Sequence, residues 1–138
     1  WNVKSDGWSV TSFNELTREA QAIDRVNRFS TDTPAVPYIT QCLEHAKGPV
    51  IVATDYMRNY AEQVRKYVPN RYEVLGTDGF GRSDSRAALR SFFEVDASYV
   101  VLASLKALVD EGEMDASVIA QAIEKYGINI NKPNPMTV

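Results

Sequence analysis

The sequence has 138 residues, with 15 Lys+Arg against 18 Asp+Glu and a formal net charge of -3; 44% of residues are hydrophobic and 24% charged. That is one globular domain's worth of chain, able to bury a core without staples. The mild acidity excludes the basic footprint of a nucleic-acid binder, no apolar run approaches the ~18–20 residues that cross a bilayer, and the single Cys42 excludes a disulfide framework and fits a reducing compartment, the cytoplasm.

In chain order, Trp8–Phe13 alternates large or β-branched residues with Ser and Thr and predicts a short strand. Asn14 is placed to cap a helix that runs to about Arg28, with Leu16, Ala20, Ile23 and Val26 on one face. Residues 30–37 form a loop with two prolines. A short helix follows over 38–46, with Ile39, Cys42, Leu43 and Ala46 on one stripe and Gly48 as its stop. The apolar run Pro49–Thr54 predicts a strand buried on both faces. Asp55 then suits the cap of a helix over 56–67, whose stripe is Met57, Tyr60, Ala61, Val64 and Val68. Tyr72–Leu75 predicts a second strand, followed by the glycine-rich turn Gly76–Asp84 and a helix over 85–93 capped by Ser83 or Asp84. Asp96 opens a helix to about Asp110 that is apolar nearly all round, and so is expected to be deeply buried. Asp115 caps a last helix that turns Val118, Ile119, Ala122 and Ile123 inward and stops at Gly127. Residues 129–138 carry two prolines and no periodicity, and predict an extended surface tail.

Strands alternating with helices predict an α/β fold, a layered domain with a mostly parallel or mixed sheet flanked by helices. No repeat or internal boundary divides residues 1–138, so a single domain is expected. Three strands are few for a free-standing sheet of this kind. Either strands hide in Trp1–Val3 and the tail, or the domain begins upstream; with a start at Trp1 and no Met, the expectation is a piece of a longer chain.

The standard catalytic constellations are missing. One His and one Cys cannot build a Cys/His zinc site. There is no nucleophile elbow, phosphate-binding P-loop, H-E-x-x-H, EF-hand loop or C-x-x-C. His45, near a helix end beside Glu44, reads as a surface residue favoured by the helix dipole, and Cys42 as a buried small hydrophobe. The most unusual segment is the turn with Gly76, Gly79 and Gly81, a G-x-x-G-x-G order that does not match the dinucleotide fingerprint. Two readings stay open for Gly76, Asp78, Gly79, Phe80, Gly81, Arg82 and Ser83. One is a small-anion or nucleotide site, using backbone amides before a helix and Arg82. The other is a packing or interdomain role, with glycines supplying backbone freedom and Phe80 filling an apolar pocket. Asp55 and Asp78 both follow strands, where ligands of parallel sheets bind. They suit an acid/base pair or Mg²⁺ site on one reading, a helix cap and a turn residue on the other. Tyr56, Tyr60, Tyr67 and Tyr72 gather around one helix and one strand, as at an interface or a core edge.

The stretches WSVTSFNELTREAQ, VPYI, ATDYMRNYAEQVRKYVP and VLGTDGFGRSDSRAALRSFFEVDASYVV together resemble the C-terminal domain of the pyruvate dehydrogenase decarboxylating component in its bacterial homodimeric form. The resemblance runs from Trp8 to about Asn134, and GTDGFGRSDSR and EVDASYVV are its most specific parts. More distantly, D-G-F-G-x-S at 78–83 is similar to a turn of transketolase C-terminal domains. The resemblance implies a transketolase-like α/β domain of an enzyme that decarboxylates pyruvate with thiamine diphosphate and Mg²⁺ and acetylates the lipoyl group of the next component. It implies that the cofactor, its G-D-G…N motif and the catalytic histidines lie upstream. No catalytic, cofactor-binding or metal residue is therefore expected in this chain, and the isolated chain is expected to be inactive. The implied partners are the upstream domains, the dimer partner and the dihydrolipoyl acetyltransferase component. The implied role is to brace that assembly, with Gly76–Asp84 as the loop that touches it.

Overall fold

A computed structural model describes residues 1–138. The elements are α1 (Phe13–Arg28), α2 (Tyr38–Leu43), β1 (Val50–Ala53), α3 (Arg58–Glu62) followed by a 3₁₀ turn (Arg65–Tyr67), β2 (Tyr72–Leu75), α4 (Arg86–Phe92), α5 (Ala97–Asp110) and α6 (Ser117–Tyr126). β1 and β2 pair in parallel, Val50 opposite Tyr72 through Ala53 opposite Leu75. Because side chains alternate along a strand, Val50, Val52, Tyr72 and Val74 share one face. They join Phe13, Ile39, Leu43, Ala61, Val64 and Val68 in the main core, against α1, α2 and α3. α5 packs on both strands, and α6 packs on α5. The expected α/β layering is present, with helices flanking a small parallel sheet.

Several local expectations are corrected. Trp8–Ser12 forms no strand; the segment is irregular and its end caps α1. The cap is Ser12 rather than Asn14: its Oγ accepts from the Glu15 amide at 3.2 Å, so the helix starts at Phe13 and buries Phe13, Thr17 and Ala20. Val26 points outward. α2 stops at Leu43, well before Gly48, and Ala46 is exposed. The helix expected over 56–67 is shortened to α3 and a 3₁₀ turn, and Met57 faces solvent. Ser85, not Ser83 or Asp84, caps α4 through the Ala88 amide at 3.3 Å. Asp96 caps α5 as expected, accepting from the Ser98 and Tyr99 amides. Ala116, not Asp115, is the N-cap of α6; Asp115 accepts from the Ser117 amide at 2.8 Å, and the Ser117 side chain first and that amide second hold its carboxyl below the usual carboxylate range. Gly127, at φ 60°, ends α6.

Two of the corrections concern burial. β1 is only half-buried and Ala53 is exposed, so the run is not covered on both faces. Within α5 only Leu105 and Ala107 are buried, although most of the helix is apolar. Only 17 of 138 residues are buried in all, so the core is thin for the chain. The accessible surface is 9504 Å², whereas a compact monomer of 15.4 kDa exposes about 7,200 Å². The excess, about 2,300 Å², is the size of a permanent protein–protein interface. No helix is long and apolar enough to cross a membrane.

Candidate functional site

Two loops leave the carboxyl ends of the parallel strands, Thr54–Met57 after β1 and Gly76–Ser85 after β2. They are tied together by backbone bonds. The Thr77 amide donates to the Tyr56 carbonyl at 2.9 Å, and the Thr77 hydroxyl to the Asp55 carbonyl at 2.9 Å. Gly76 is buried where they cross. A Cβ there would lie 2.7 Å from the Arg58 nitrogen and 2.8 Å from the Tyr56 carbonyl oxygen, so no larger residue fits without moving backbone.

Asp78, not Asp55, takes the capping role expected after β1. Asp78 caps α3 from across the site: its Oδ2 accepts from the Arg58 amide at 3.1 Å and lies 3.3 Å from the Arg58 Nε. Asp55 caps nothing and holds the Arg90 guanidinium at 3.0 Å, which raises Arg90 above its ordinary value. Each carboxylate is thus committed to its own arginine. That does not fit a shared proton or a Mg²⁺ site, and no three potential metal ligands cluster anywhere.

Gly79 has φ 119°, a conformation L side chains rarely adopt, and a Cβ there would meet the Pro135 carbonyl oxygen at 2.3 Å. The tail is therefore no free surface segment. It folds back in two turns, buries Pro135 and lies against the loop. Lys132 fastens it by donating to the Ser91 carbonyl at 2.8 Å and to Phe92, at the end of α4. Its ammonium also reaches Glu94, 3.4 Å away and in the left-handed region at φ 63°.

The other loop residues face outward. Phe80 is 79% exposed and fills no pocket of this chain, contrary to the packing expectation. Gly81 stands in open space. Arg82 lies over the Phe92 ring at 4.5 Å, and a cavity of about 650 Å³ beside it is lined by Phe80, Ser83, Asp84, Leu89 and Val138. The α4 amides that an anion would use are partly taken: Asp84 accepts from Ser85 and Ser85 from Ala88. Tyr56 stacks on Tyr60 at 4.8 Å but stays 64% exposed, whereas Tyr72 is core, donating its hydroxyl to the Ala61 carbonyl at 2.9 Å. Tyr67 bonds Asp24. His45 is exposed beside Glu44 at 3.2 Å, and Cys42 is half-buried at the core edge.

The result is an apolar rim of Tyr56, Met57, Phe80 and Met136, all more than half exposed, beside the Asp78–Arg58 and Asp55–Arg90 ion pairs and the close contacts of Gly76 and Gly79. Sequence reasoning named the loop but missed Arg58, Arg90, Met136 and the tail. Each reaches the site through contacts between residues far apart in the chain, and no local pattern announces them.

Comparison with known proteins fits this picture. Residues 1–96 match the family model for the transketolase-like C-terminal domain. The chain is 54% identical over 139 residues to the pyruvate dehydrogenase E1 component of Cupriavidus necator, covering 100% of this chain and 16% of that protein. It is 55% identical over 137 residues to that of Escherichia coli, covering 98% and 15%, and 49% identical over 130 residues to that of Mycobacterium tuberculosis, covering 94% and 14%. The chain thus spans about a sixth or less of the curated relatives it matches. With most of its length in the family model and a helix-flanked parallel sheet of the matching class, the chain belongs to the transketolase-like C-terminal domain family.

Proposed function

We propose that the chain is the C-terminal assembly domain of a cytoplasmic, homodimeric pyruvate dehydrogenase decarboxylating component, and that it carries none of the catalytic groups itself. The observation that carries this reading is identity above 50% across nearly the whole chain to two pyruvate dehydrogenase E1 components, of which it spans only a small part. In the parent enzyme, thiamine diphosphate with Mg²⁺ supplies the carbanion chemistry at residues outside this chain. This chain's part is mechanical. Asp78 and Arg58, Asp55 and Arg90, and the Gly79–Pro135 contact fix the loop so that Phe80 is held out from the fold. A large aromatic presented at low entropic cost is what an interface anchor requires.

The surface around Gly76, Asp78, Gly79, Phe80, Gly81, Arg82 and Ser83 then packs on the other domains of the same polypeptide and on the dimer partner. The assembled enzyme passes its acetyl group to the dihydrolipoyl acetyltransferase component. The excess exposed surface supports this reading, since it matches what a covered face would remove. The test is pyruvate decarboxylation with thiamine diphosphate and Mg²⁺, measured on the 138-residue chain and on the full-length protein that contains it. Turnover is expected only from the full-length protein; turnover by the chain alone overturns the reading.

A further inference from the structure

We propose that Arg82 is the docking point for a carboxylate, an aspartate or glutamate with an apolar neighbour, supplied by the part of the same enzyme that precedes Trp1. The inference rests on the reading that the chain is one domain of a longer enzyme. It deepens that reading by giving the chemistry of the segment that covers the Gly76–Asp84 loop.

The argument begins with charge. Asp55 and Asp78, at the ends of the two strands, already hold Arg90 at 3.0 Å and Arg58 at 3.3 Å. Arg82 has no such counterpart and makes neither an ion pair nor a hydrogen bond within the chain; its guanidinium lies over the Phe92 ring, 4.5 Å from the centre. Lys132 lies over the same ring at 5.5 Å, but Glu94 answers its charge at 3.4 Å. The uncompensated cation is therefore Arg82. Its N–H donors form a rigid planar fork that matches a carboxylate. Stacking on Phe92 orients that fork before any partner arrives, which lowers the cost of binding.

The cavity beside Arg82, about 650 Å³, gives the rest of the partner's chemistry. Ser83 contributes a hydroxyl that makes no hydrogen bond in the chain. Asp84, the one carboxylate on the wall, accepts from the Ser85 amide at 2.6 Å. Phe80, Leu89, Phe92 and Val138 make the wall otherwise apolar. An acidic side chain with an apolar neighbour satisfies both parts at once. A free small anion fits less well, since it leaves the apolar wall uncovered and meets Ser85 and Ala88 amides that are already bonded.

The occupant follows from two further facts. The relatives carry about five-sixths of their length outside the matched region, and that region belongs to a C-terminal domain family. A second copy of residues 1–138 is disfavoured by charge. A two-fold contact through this rim sets Arg82 near Arg82, and the carboxylates at the strand ends are already held.

The test is a zero-length carbodiimide cross-link on the full-length protein carrying Arg82→Lys, read by mass spectrometry after proteolysis. The carbodiimide activates a carboxylate, and the introduced amine displaces it to leave an amide. The expected product joins position 82 to an aspartate or glutamate ahead of Trp1. No cross-link from position 82, or one to Asp84 alone, overturns the proposal. So does one to a carboxylate within residues 1–138 of a second copy. Inorganic phosphate is expected to leave this cross-link unchanged relative to those elsewhere in the protein; selective suppression assigns Arg82 to a small anion and overturns the proposal. In the full-length protein, Arg82→Glu sets like charges together, and Phe80 oxidation by hydroxyl radicals is expected to rise at least about threefold, while Arg82→Lys leaves it unchanged. Unaltered Phe80 oxidation in Arg82→Glu overturns the proposal; should that variant fail to fold, the cross-link decides. Phe80 in the unaltered full-length protein separates the two readings. Protection there without the cross-link sinks the Arg82 contact alone, and oxidation equal to that of the 138-residue chain sinks the assembly role.

Discussion

Two glycines five residues apart show how unequal the loop positions are. Gly76 and Gly81 both have φ outside the left-handed region, yet a Cβ at Gly76 would strike backbone and one at Gly81 would meet nothing. Gly79, between them, has both a φ of 119° and a 2.3 Å approach to the tail. Gly79→Ala is therefore expected to destabilise the chain by roughly 1–3 kcal/mol and loosen the tail, while Gly81→Ala stays within about 0.5 kcal/mol of the parent; urea unfolding of the two variants checks this. Tyr72 gives a second prediction. Burial pushes its phenol up to about 12, with the Glu62 charge adding to the shift. The protonated form is thus favoured by folding, so its contribution is intact below pH 10 and is lost as pH rises from 10 towards 12. Tyr72→Phe is expected to cost about 0.5–1.5 kcal/mol at neutral pH, for the lost bond to the Ala61 carbonyl, and to flatten that alkaline decline; thermal melts across pH 8–12 would show it. None of this geometry was legible in the sequence. A glycine-rich turn signals backbone freedom, but not which glycine is pressed by a segment more than fifty residues away.

Elements were legible where the signal was local and misread where it was not. The helices over 97–110 and 117–126 end where Asp96 and Gly127 place them, because a cap acts within one turn. Asp96→Ala is accordingly expected to cost about 1 kcal/mol, with the first turn of α5 fraying; amide exchange at Ser98 and Tyr99 would report it. The strand expected at Trp8–Phe13 failed because alternation predicts which side chains share a face, not whether a partner strand exists. Its last residues went instead to capping α1. The apolar run at 50–53 was rightly read as a strand, and its apolarity as a sign of cover on both faces. That cover is missing in this chain, as it is around α5, so the pattern records surroundings wider than these residues supply. The cap of α3 comes from Asp78 rather than Asp55, and a cap supplied from twenty residues away leaves no trace in spacing.

At the scale of the whole molecule, the thin core, the excess surface and the exposed rim point the same way. A chain that exposes about 2,300 Å² beyond the compact expectation is built to be covered. Composition alone could not reveal this, since 44% hydrophobic residues is ordinary whether the apolar side chains lie in a core or at an interface. On the proposed function, the Gly76–Asp84 loop and its rim are buried in a larger enzyme. Hydroxyl-radical footprinting tests it most directly, comparing side-chain oxidation in the 138-residue chain with that in the full-length protein. Phe80, Met57 and Met136 are expected to be protected severalfold in the full-length protein, while Phe29, 75% exposed and remote from the rim, oxidises equally in both. Equal oxidation of Phe80 and Met57 in the two samples would contradict the account.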